Sequence, residues 1–238
     1  ETGTTETRQA ARAFNDMQSR LRSLIENRTR LLAAISHDLR TPLTLLRLRA
    51  ETVENAQERD KMLSTISEMD SLIGVTLQFA RDENASEPRR DTDLATLLQS
   101  TVDDMSDAGL AVRMAPTEPI IYECQPAALK RAVRNLLDNA VKYGQSGSLQ
   151  IRRAQRAIEI DVDDEGPGIP EADLARVLEP FYRVEQSRSR DTGGVGLGLA
   201  IAQSVVQAHG GTLTLSNRPT GGLRATIALP LIGSSQTS

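Results

Sequence analysis

A polar segment, Ser36-His37-Asp38-Leu39-Arg40-Thr41-Pro42-Leu43, interrupts a long run of strong helix formers. Between residues 6 and 83 the only glycine is Gly74 and the only proline is Pro42, so the run predicts long helices. Apolar residues recur at helical spacing on both sides of the segment. At about 100° per residue, His37 lies nearly opposite the centre of that apolar stripe, and it is predicted to face solvent.

The same run predicts a helical hairpin. Residues 54–60 are polar and are predicted to turn the chain, and a second apolar stripe follows from Met62 to Ala80. Each helix of such a hairpin buries one face, and a second copy of the chain would cover the remaining faces in a four-helix bundle. The spacing of a coiled-coil seam is found at Phe14, Met17, Leu21 and Leu24, and the phase of the apolar pattern changes near Arg28.

The rest of the chain predicts a mixed β-sheet with helices on one face, after a linker by composition at residues 84–91. Hairpin signals stand at Gln155-Arg156 and between Pro219 and Gly222. Helices are predicted at 93–107, 126–142 and 197–209, a short helix at 171–178, and strands near 110–114, 119–123, 148–154, 157–163, 211–216 and 223–229.

The composition excludes several classes of protein. Aromatic residues make up only 3% and the net charge is −4, which argues against base stacking and against binding to a phosphate backbone. A single cysteine excludes an intramolecular disulfide framework and fits a reducing compartment. No run of about 18 apolar residues is present to span a membrane, and no signal peptide is visible.

Two segments of the second half have the chemistry of a nucleotide site. Asn135 and Asn139 are one helical turn apart, and their amide oxygens suit Mg²⁺. Lys142 follows about one turn later and is placed to meet a phosphate. Asp164 ends a predicted strand, and the glycines in Asp164-Glu165-Gly166-Pro167-Gly168 let a flat ligand approach the backbone. An ordinary polar helix face and an acidic turn are the simpler explanations.

A glycine-rich run, Gly193-Gly194-Val195-Gly196-Leu197-Gly198-Leu199, enters a predicted helix. Bare N–H groups at such a helix start can bind phosphate. The run matches neither the dinucleotide fingerprint nor the Walker A spacing. Alone, the run is weak support for a nucleotide site. His37, taken alone, could likewise be an ordinary exposed histidine beside a proline.

Taken in chain order, these segments resemble the cytoplasmic core of a class I sensor histidine kinase. Glu179-Pro180-Phe181-Tyr182-Arg183 adds a fifth match, and residues 6–24 resemble the last helix of a HAMP signalling module. Five boxes in the family's order make the resemblance specific, and it extends over about residues 6–230. The H, N, G1, F and G2 boxes correspond to residues 36–43, 135–143, 164–168, 179–183 and 194–199.

The resemblance implies an α+β architecture, in which a helical-hairpin dimerisation bundle precedes an α/β sandwich with a mixed sheet. The implied parts are a HAMP helix remnant at 1–24, a dimerisation and histidine phosphotransfer domain at 25–85, a linker at 86–91, a Bergerat-type ATP-binding domain at 92–232 and a flexible tail at 233–238.

The resemblance also implies the roles of single residues. His37 is the phosphoacceptor, Asp38 its polarising acid or base, and Thr41 orients a water for dephosphorylation of the partner. A carboxylate on Nδ1 would fix the tautomer and free Nε2, although residues i and i+1 do not share a helix face. Mg²⁺ is implied on Asn139 and Asn135, and ATP on Asn135, Asn139, Lys142, Tyr143, Asp164, Gly166, Gly168, Ile169, Phe181, Arg183, Gly194, Gly196, Leu197, Gly198 and Leu199.

The function that this implies is Mg-ATP-dependent autophosphorylation of His37, followed by phosphoryl transfer to an aspartate of a separate response regulator. Phosphatase activity toward that regulator is also implied. The expected partners are a second copy of the chain and the regulator, with no direct nucleic acid. The expected location is the cytoplasmic portion of an inner-membrane sensor, anchored N-terminal to this chain. The sequence leaves open whether phosphorylation occurs within a subunit or across the dimer.

Two positions depart from the family pattern or stand apart from it. The family usually has an aspartate just before the N-box helix, often in Gly-Asp-Pro, and here the sequence is Cys124-Gln125-Pro126. Cys124 is then a buried inert thiol or, alternatively, a redox sensor. His209 precedes Gly210 at a helix end, where a histidine favours the helix dipole and the glycine supplies the C-cap.

Two other functions compete with a kinase. A non-kinase member of the same ATP-binding superfamily, such as a chaperone, gyrase or mismatch-repair ATPase, would lack the helical hairpin and its H box. A catalytically silent dimerisation scaffold would not need Asn135, Asn139, Asp164 and the glycines of the G2 box.

Overall fold

The computed structural model describes residues 5–82, 87–184 and 196–231. The chain forms two compact units, Glu1–Ala85 and Ser86–Ser238. None of the helices in the described ranges combines the length and the apolar character needed to cross a membrane.

The first unit is the predicted helical hairpin. Helix α1 spans Thr5–Glu51 and helix α2 spans Ala56–Asp82, and the two pack against each other. Helix α1 remains helical through Pro42, so the loss of one backbone donor does not end the helix there.

The apolar stripe of α1 divides into two faces in a single chain. Leu43 and Ala50 are buried, together with Ser36, and their seven-residue spacing is that of a seam between two packed helices. A second apolar face is therefore left uncovered beside this seam. Its side chains are between 42% and 51% exposed: Ile35, Leu39 and Leu46 of α1, and Met62 and Met69 of α2.

The turn between the two helices is shorter and earlier than the predicted turn at 54–60. Asn55 begins α2, because its backbone carbonyl accepts from Arg59 N at 2.9 Å and its Oδ1 accepts from Glu58 N at 3.2 Å. An asparagine followed three residues later by a glutamate is a helix-start signal. The polar character of the segment masked that signal, so the predicted turn is confirmed at residues 54 and 55 and is wrong for residues 56–60, which are helical.

The second unit is an α/β sandwich built on a five-stranded mixed sheet. The strand order is β2-β4-β5-β7-β6, with β2 parallel to β4 and the other pairs antiparallel. A separate two-stranded sheet pairs β1 with β3. The strands are β1 (Arg90–Asp93), β2 (Val112–Met114), β3 (Ile121–Cys124), β4 (Gly147–Arg153), β5 (Ala157–Asp164), β6 (Thr212–Asn217) and β7 (Leu223–Pro230).

Three helices cover one face of the five-stranded sheet, as predicted: α3 (Leu94–Asp107), α4 (Pro126–Gly144) and α5 (Gly198–Ala208). Ile160 of β5 stands opposite Ile151 of β4 and Ile227 of β7. All three isoleucines are buried in one core with apolar residues of the helices. Alternate residues of these strands face the core, as expected for a sheet packed on one side.

Two local predictions differ from the structure. The predicted linker at 86–91 includes Arg90 and Asp91, which belong to β1 and pair with Cys124 and Glu123. The predicted short helix at 171–178 is a pair of 3₁₀ turns, Glu171–Asp173 and Arg176–Leu178. Such short segments lack the length to propagate an α-helix, and 3₁₀ geometry is common in pieces of this size.

Candidate functional site

His37 lies on the solvent-facing side of α1, as predicted. The side chains of His37 and Asp38 are both 84% exposed, and Nδ1 of His37 is 3.4 Å from Oδ1 of Asp38. This distance is longer than that of a usual N–H···O hydrogen bond, so the two adjacent helical residues lie close together without a firm bond. A proton on Nδ1, facing Asp38, would leave Nε2 as the basic nitrogen. Thr41 is exposed one turn later on the same side.

Helix α4 presents Asn135 and Asn139 toward the start of α5. A Cβ added to Gly198, the first residue of α5, would lie 3.6 Å from Nδ2 and 3.8 Å from Oδ1 of Asn139. It would also lie 3.9 Å from Cβ of Asn135. The structure therefore brings together the predicted N box and the described part of the G2 box, which are more than fifty residues apart in the sequence.

The chemistry of this pair fits a magnesium ion that also binds a nucleotide. The Nδ2 atom of Asn135 is buried with no hydrogen-bond partner among the described residues, so this nitrogen is not committed to a bond with them. Among those residues, no cluster of three or more His, Cys, Asp or Glu side chains is placed to hold a metal ion. Mg²⁺ commonly takes one or two protein oxygens and completes its shell with water and phosphate.

Two cations converge at the C-terminal end of α4. Burial, and then the positive charge of Arg183, lower the pKa of Lys142. Its Nζ also lies 5.1 Å from the centroid of the Tyr143 ring. Lysine and arginine side chains are the usual partners of phosphate oxygens, which makes this end of α4 suited to a polyphosphate.

Asp164 is fixed in place by backbone donors. Its side chain is buried, and Oδ1 accepts from Gly166 N at 2.8 Å and from Leu223 N at 2.9 Å. The hydrogen bonds from described residues to this carboxylate all end on Oδ1, so none of them occupies Oδ2. A Cβ on Gly166 would lie 2.7 Å from the carbonyl oxygen of Tyr143, so this glycine lets the predicted G1 loop lie against the end of α4.

Asn217 and Arg218 hold the same loop, and sequence reasoning missed them. Ile169 N donates to Asn217 Oδ1 at 2.9 Å, and Asn217 Nδ2 donates to Ile169 O at 2.7 Å. Gly168 has a φ of 74°, and a Cβ there would lie 2.5 Å from Asn217 Oδ1. Ile169 thus serves the site through its backbone. The polar residues flanking the predicted hairpin turn at 219–222 were the available signal.

The predicted F box meets the described part of the G2 box. Phe181 has an unusual positive φ of 67°, and its N–H donates to Gly196 O at 3.0 Å. Gly196 has a φ of 75°, and a Cβ there would lie 2.8 Å from Tyr182 O. Leu197 is buried, and Leu199 packs against the core, so the two leucines anchor the start of α5. Gly194 lies outside the described residues.

The surroundings of Cys124 and His209 indicate structural roles for both residues. Burial raises the pKa of the Cys124 thiol, which favours the inert form over a reactive thiolate. His209 is buried; its Nδ1 lies 2.8 Å from Val205 O, and its Nε2 accepts from Gln125 N at 3.0 Å. The ring thus joins the end of α5 to the start of α4. Gly210 has the positive φ of 72° that its C-cap role requires.

Comparison with family models divides the chain as the fold does. Residues 27–85 match the His Kinase A (phospho-acceptor) domain, and residues 124–233 match the histidine kinase-, DNA gyrase B- and HSP90-like ATPase.

Curated relatives match nearly the whole chain. The sensor histidine kinase GtrS of Pseudomonas aeruginosa is 40% identical over 234 residues, which are 98% of this chain and 48% of that protein. The sensor histidine kinase CpxA of Escherichia coli K12 is 34% identical over 244 residues, covering 97% of this chain and 53% of that protein. The chain therefore spans about half the length of these curated relatives.

Solved structures also resemble the chain. The ATP binding domain of PrrB from Mycobacterium tuberculosis is 33% identical with a TM-score of 0.50, covering 60% of this chain and 96% of that one. Full-length ShkA in complex with AMPPNP is 27% identical with a TM-score of 0.61, covering 84% of this chain and 45% of that one.

Proposed function

The chain belongs to the sensor histidine kinase family, and from that premise we propose that it is a kinase core that transfers the γ-phosphoryl group of ATP to His37. One observation carries the proposal: three segments distant in sequence converge on helix α4. Gly198 lies against Asn139, and the loop after Asp164 lies against Tyr143. The positive charge of Arg183 contributes, after burial, to the lowered pKa of Lys142. Together they provide acceptors for a base, cations for phosphates and oxygen ligands for a metal.

The side chains divide the work of binding ATP. The carboxylate of Asp164 accepts a hydrogen bond from the adenine amino group, since none of the hydrogen bonds from the described residues ends on its second oxygen. Lys142 and Arg183 pair with the phosphates. Mg²⁺ held by Asn139 and Asn135 would neutralise phosphate charge during transfer. The N-terminus of α5 adds backbone N–H groups at the same place.

His37 and Asp38 perform the chemical step. Nε2 of His37 attacks the γ-phosphorus, the bond from that phosphorus to the β,γ-bridging oxygen breaks, and ADP leaves. The ring acquires positive charge as the N–P bond forms, and the neighbouring carboxylate of Asp38 stabilises that charge. Release of the Nδ1 proton to Asp38 or to water then gives neutral phosphohistidine.

We further propose the later steps and the assembly from the exposure of the first unit. His37 and Thr41 are open to solvent, so a separate response regulator can approach, receive the phosphoryl group on an aspartate and lose it again to a water held by Thr41. The uncovered apolar face of α1 and α2 supports a homodimer. The parent protein is proposed to be membrane-anchored N-terminal to this chain, with this part in the cytoplasm.

Incubation with γ-labelled ATP and Mg²⁺ tests the proposal. We expect label that is acid-labile and alkali-stable on the wild-type protein and none on His37→Gln, with nucleotide binding unchanged in the variant. Asn139→Ala should keep the fold and lose most of the labelling at limiting Mg²⁺. A wild-type protein that binds ATP without labelling would support the silent scaffold, and label retained on His37→Gln would overturn the assignment of the phosphoacceptor.

A further inference from the structure

We propose that Asn217 is a positioning residue that sets the preference of the nucleotide site for adenine over 6-oxo purines. The inference rests on the proposed ATP site and extends it to a residue outside the five boxes. It concerns the loop between Asp164 and Ile169 and the hairpin of β6 and β7, which is hydrogen-bonded to this loop.

Asn217 pairs with the loop as a strand would. As the last residue of β6, it uses one amide group to satisfy both the N–H and the C=O of Ile169, at 2.9 and 2.7 Å. The close approach of its Oδ1 to Gly168, where an added Cβ would be only 2.5 Å away, leaves no room for the loop to shift toward the hairpin. Two such bonds to one backbone residue fix both its position and its orientation.

The same hairpin holds the other end of the loop. Arg218 Nη1 donates to Asp164 O at 2.7 Å, and Leu223 N donates to Asp164 Oδ1 at 2.9 Å. A Cβ on Gly222 would lie 2.0 Å from Asp164 O, so the two backbones are in direct contact. The turn from Asn217 to Leu223 therefore contacts the loop at both of its ends, Asp164 and Ile169.

A rigid loop makes Asp164 selective. Its available oxygen accepts a hydrogen bond from a 6-amino group, whereas a 6-oxo group would place two acceptors against each other. A site built to pair with a hydrogen-bond donor rejects an analogue that lacks it, provided that the acceptor cannot move away. Without Asn217, the end of the loop at Ile169 loses its support, and only the contacts at Asp164 itself then oppose a shift of the carboxylate away from an oxo group.

Calorimetric titration of the full chain with ADP and with inosine diphosphate, in the presence of Mg²⁺, tests this role. We expect the wild type to bind ADP more tightly, and we expect Asn217→Ala to reduce the ratio of the two Kd values roughly tenfold, because a loosened loop no longer holds two acceptors against each other in the inosine complex. Ser216→Ala, at the exposed neighbouring position of β6, should leave the ratio unchanged. Asn217→Asp keeps the acceptor for Ile169 N–H and should give an intermediate ratio even if the alanine variant folds poorly.

The outcomes separate this inference from the proposed function. If the wild type prefers ADP and the folded Asn217 variants prefer it equally, the inference is wrong and the ATP site stands. If Asn217→Ala lowers only the melting temperature and not the ratio, its role is structural and the inference is also wrong. If the wild type binds neither diphosphate, the proposed function and the inference both fail.

Discussion

Asp38 and Asp164 do different work because their surroundings differ. Asp38 is exposed and touches His37 at 3.4 Å, a contact between solvated groups that contributes little to stability. Its effect is expected when the imidazole becomes charged. Asp164 is buried and accepts two backbone hydrogen bonds before any ligand arrives. In the proposed function, the first carboxylate therefore acts during the reaction, and the second is preorganised for binding.

Thr41 is expected to matter for dephosphorylation and not for phosphorylation. Its hydroxyl is exposed one turn after His37, where it can hold a water near the phosphoryl group of a partner. Phosphoryl transfer from ATP depends mainly on metal and positioning, and Thr41 supplies neither. We expect Thr41→Ala to lower phosphatase activity toward a phosphorylated regulator roughly tenfold or more, with little change in autophosphorylation.

Thr44 offers a matched control for this measurement. It is an exposed threonine of the same helix, but its Oγ1 donates to Arg40 O at 2.9 Å, so its hydroxyl is already used by the helix. Thr44→Ala should leave both rates unchanged. Both alanines improve helix propensity by well under about 1 kcal/mol. Equal loss of the two activities in Thr41→Ala would contradict the role given to its hydroxyl.

Helix α4 is capped by a residue that lies far away in the sequence. Its N-cap, Gln125, makes no side-chain cap bond. Instead, the two carboxylate oxygens of Glu87 accept from Ala127 N at 3.0 Å and Ala128 N at 3.1 Å. Gln125 Nε2 donates in turn to Glu87 O at 2.7 Å. The segment that leads into the second unit thus supports the helix that carries Asn135 and Asn139.

Removing this cap is expected to destabilise the second unit. Glu87→Ala leaves two N–H groups of the first turn unsatisfied and removes a negative charge from the helix N-terminus, which together cost about 1 kcal/mol. Denaturant unfolding should show that loss, and hydrogen exchange should quicken first at Ala127 and Ala128. Glu118→Ala, at an exposed position, should be neutral. Equal effects of the two substitutions would mean that the cap contributes nothing specific.

Elements with a strong periodic pattern were predictable, whereas those that depend on distant partners were not. Helix α4 was predicted at 126–142 and spans Pro126–Gly144, because its apolar positions recur at helical spacing. Strand β1 has the polar sequence Arg90-Asp91-Thr92-Asp93 and forms only because β3 pairs with it. The roles of Glu87 and Asn217 could not be predicted for the same reason, because their hydrogen-bond partners lie about 40 and 48 residues away.

The exposed surfaces of the two units differ, because one is charged and the other carries a row of apolar side chains. On the sheet face opposite the helices, charged side chains pair across strands: Arg152 with Asp161, and Arg224 with Asp163 at 2.6 and 2.7 Å. Such pairs make an open sheet face compatible with water. The helical hairpin leaves a row of apolar side chains exposed instead. An exposed apolar row of this kind marks an interaction surface, so the first unit is the one that requires a partner.

A comparison of Leu46 with Leu48 tests whether the dimer uses the uncovered apolar face or any exposed leucine of α1. Leu46 follows Leu39 by seven residues and therefore lies about 20° from it around the helix, on the uncovered apolar face. Leu48, two residues later, is about 160° away from Leu46. In a single chain Leu46 is 44% exposed and Leu48 is 56% exposed, so exposure alone does not separate the two. Only Leu46 is expected to become buried when a second copy packs against the hairpin.

Leu46→Glu should therefore dissociate the dimer, and Leu48→Glu should not. The first change places a carboxylate in an apolar interface twice per dimer, and such a group is costly to bury without a partner. We expect the dimer dissociation constant to rise roughly a hundredfold or more. Sedimentation over a concentration series measures this, with helix content by circular dichroism to show that both variants remain folded. Equal behaviour of the two glutamate variants would place the dimer contact elsewhere, because they differ only in the face of α1 that receives the charge.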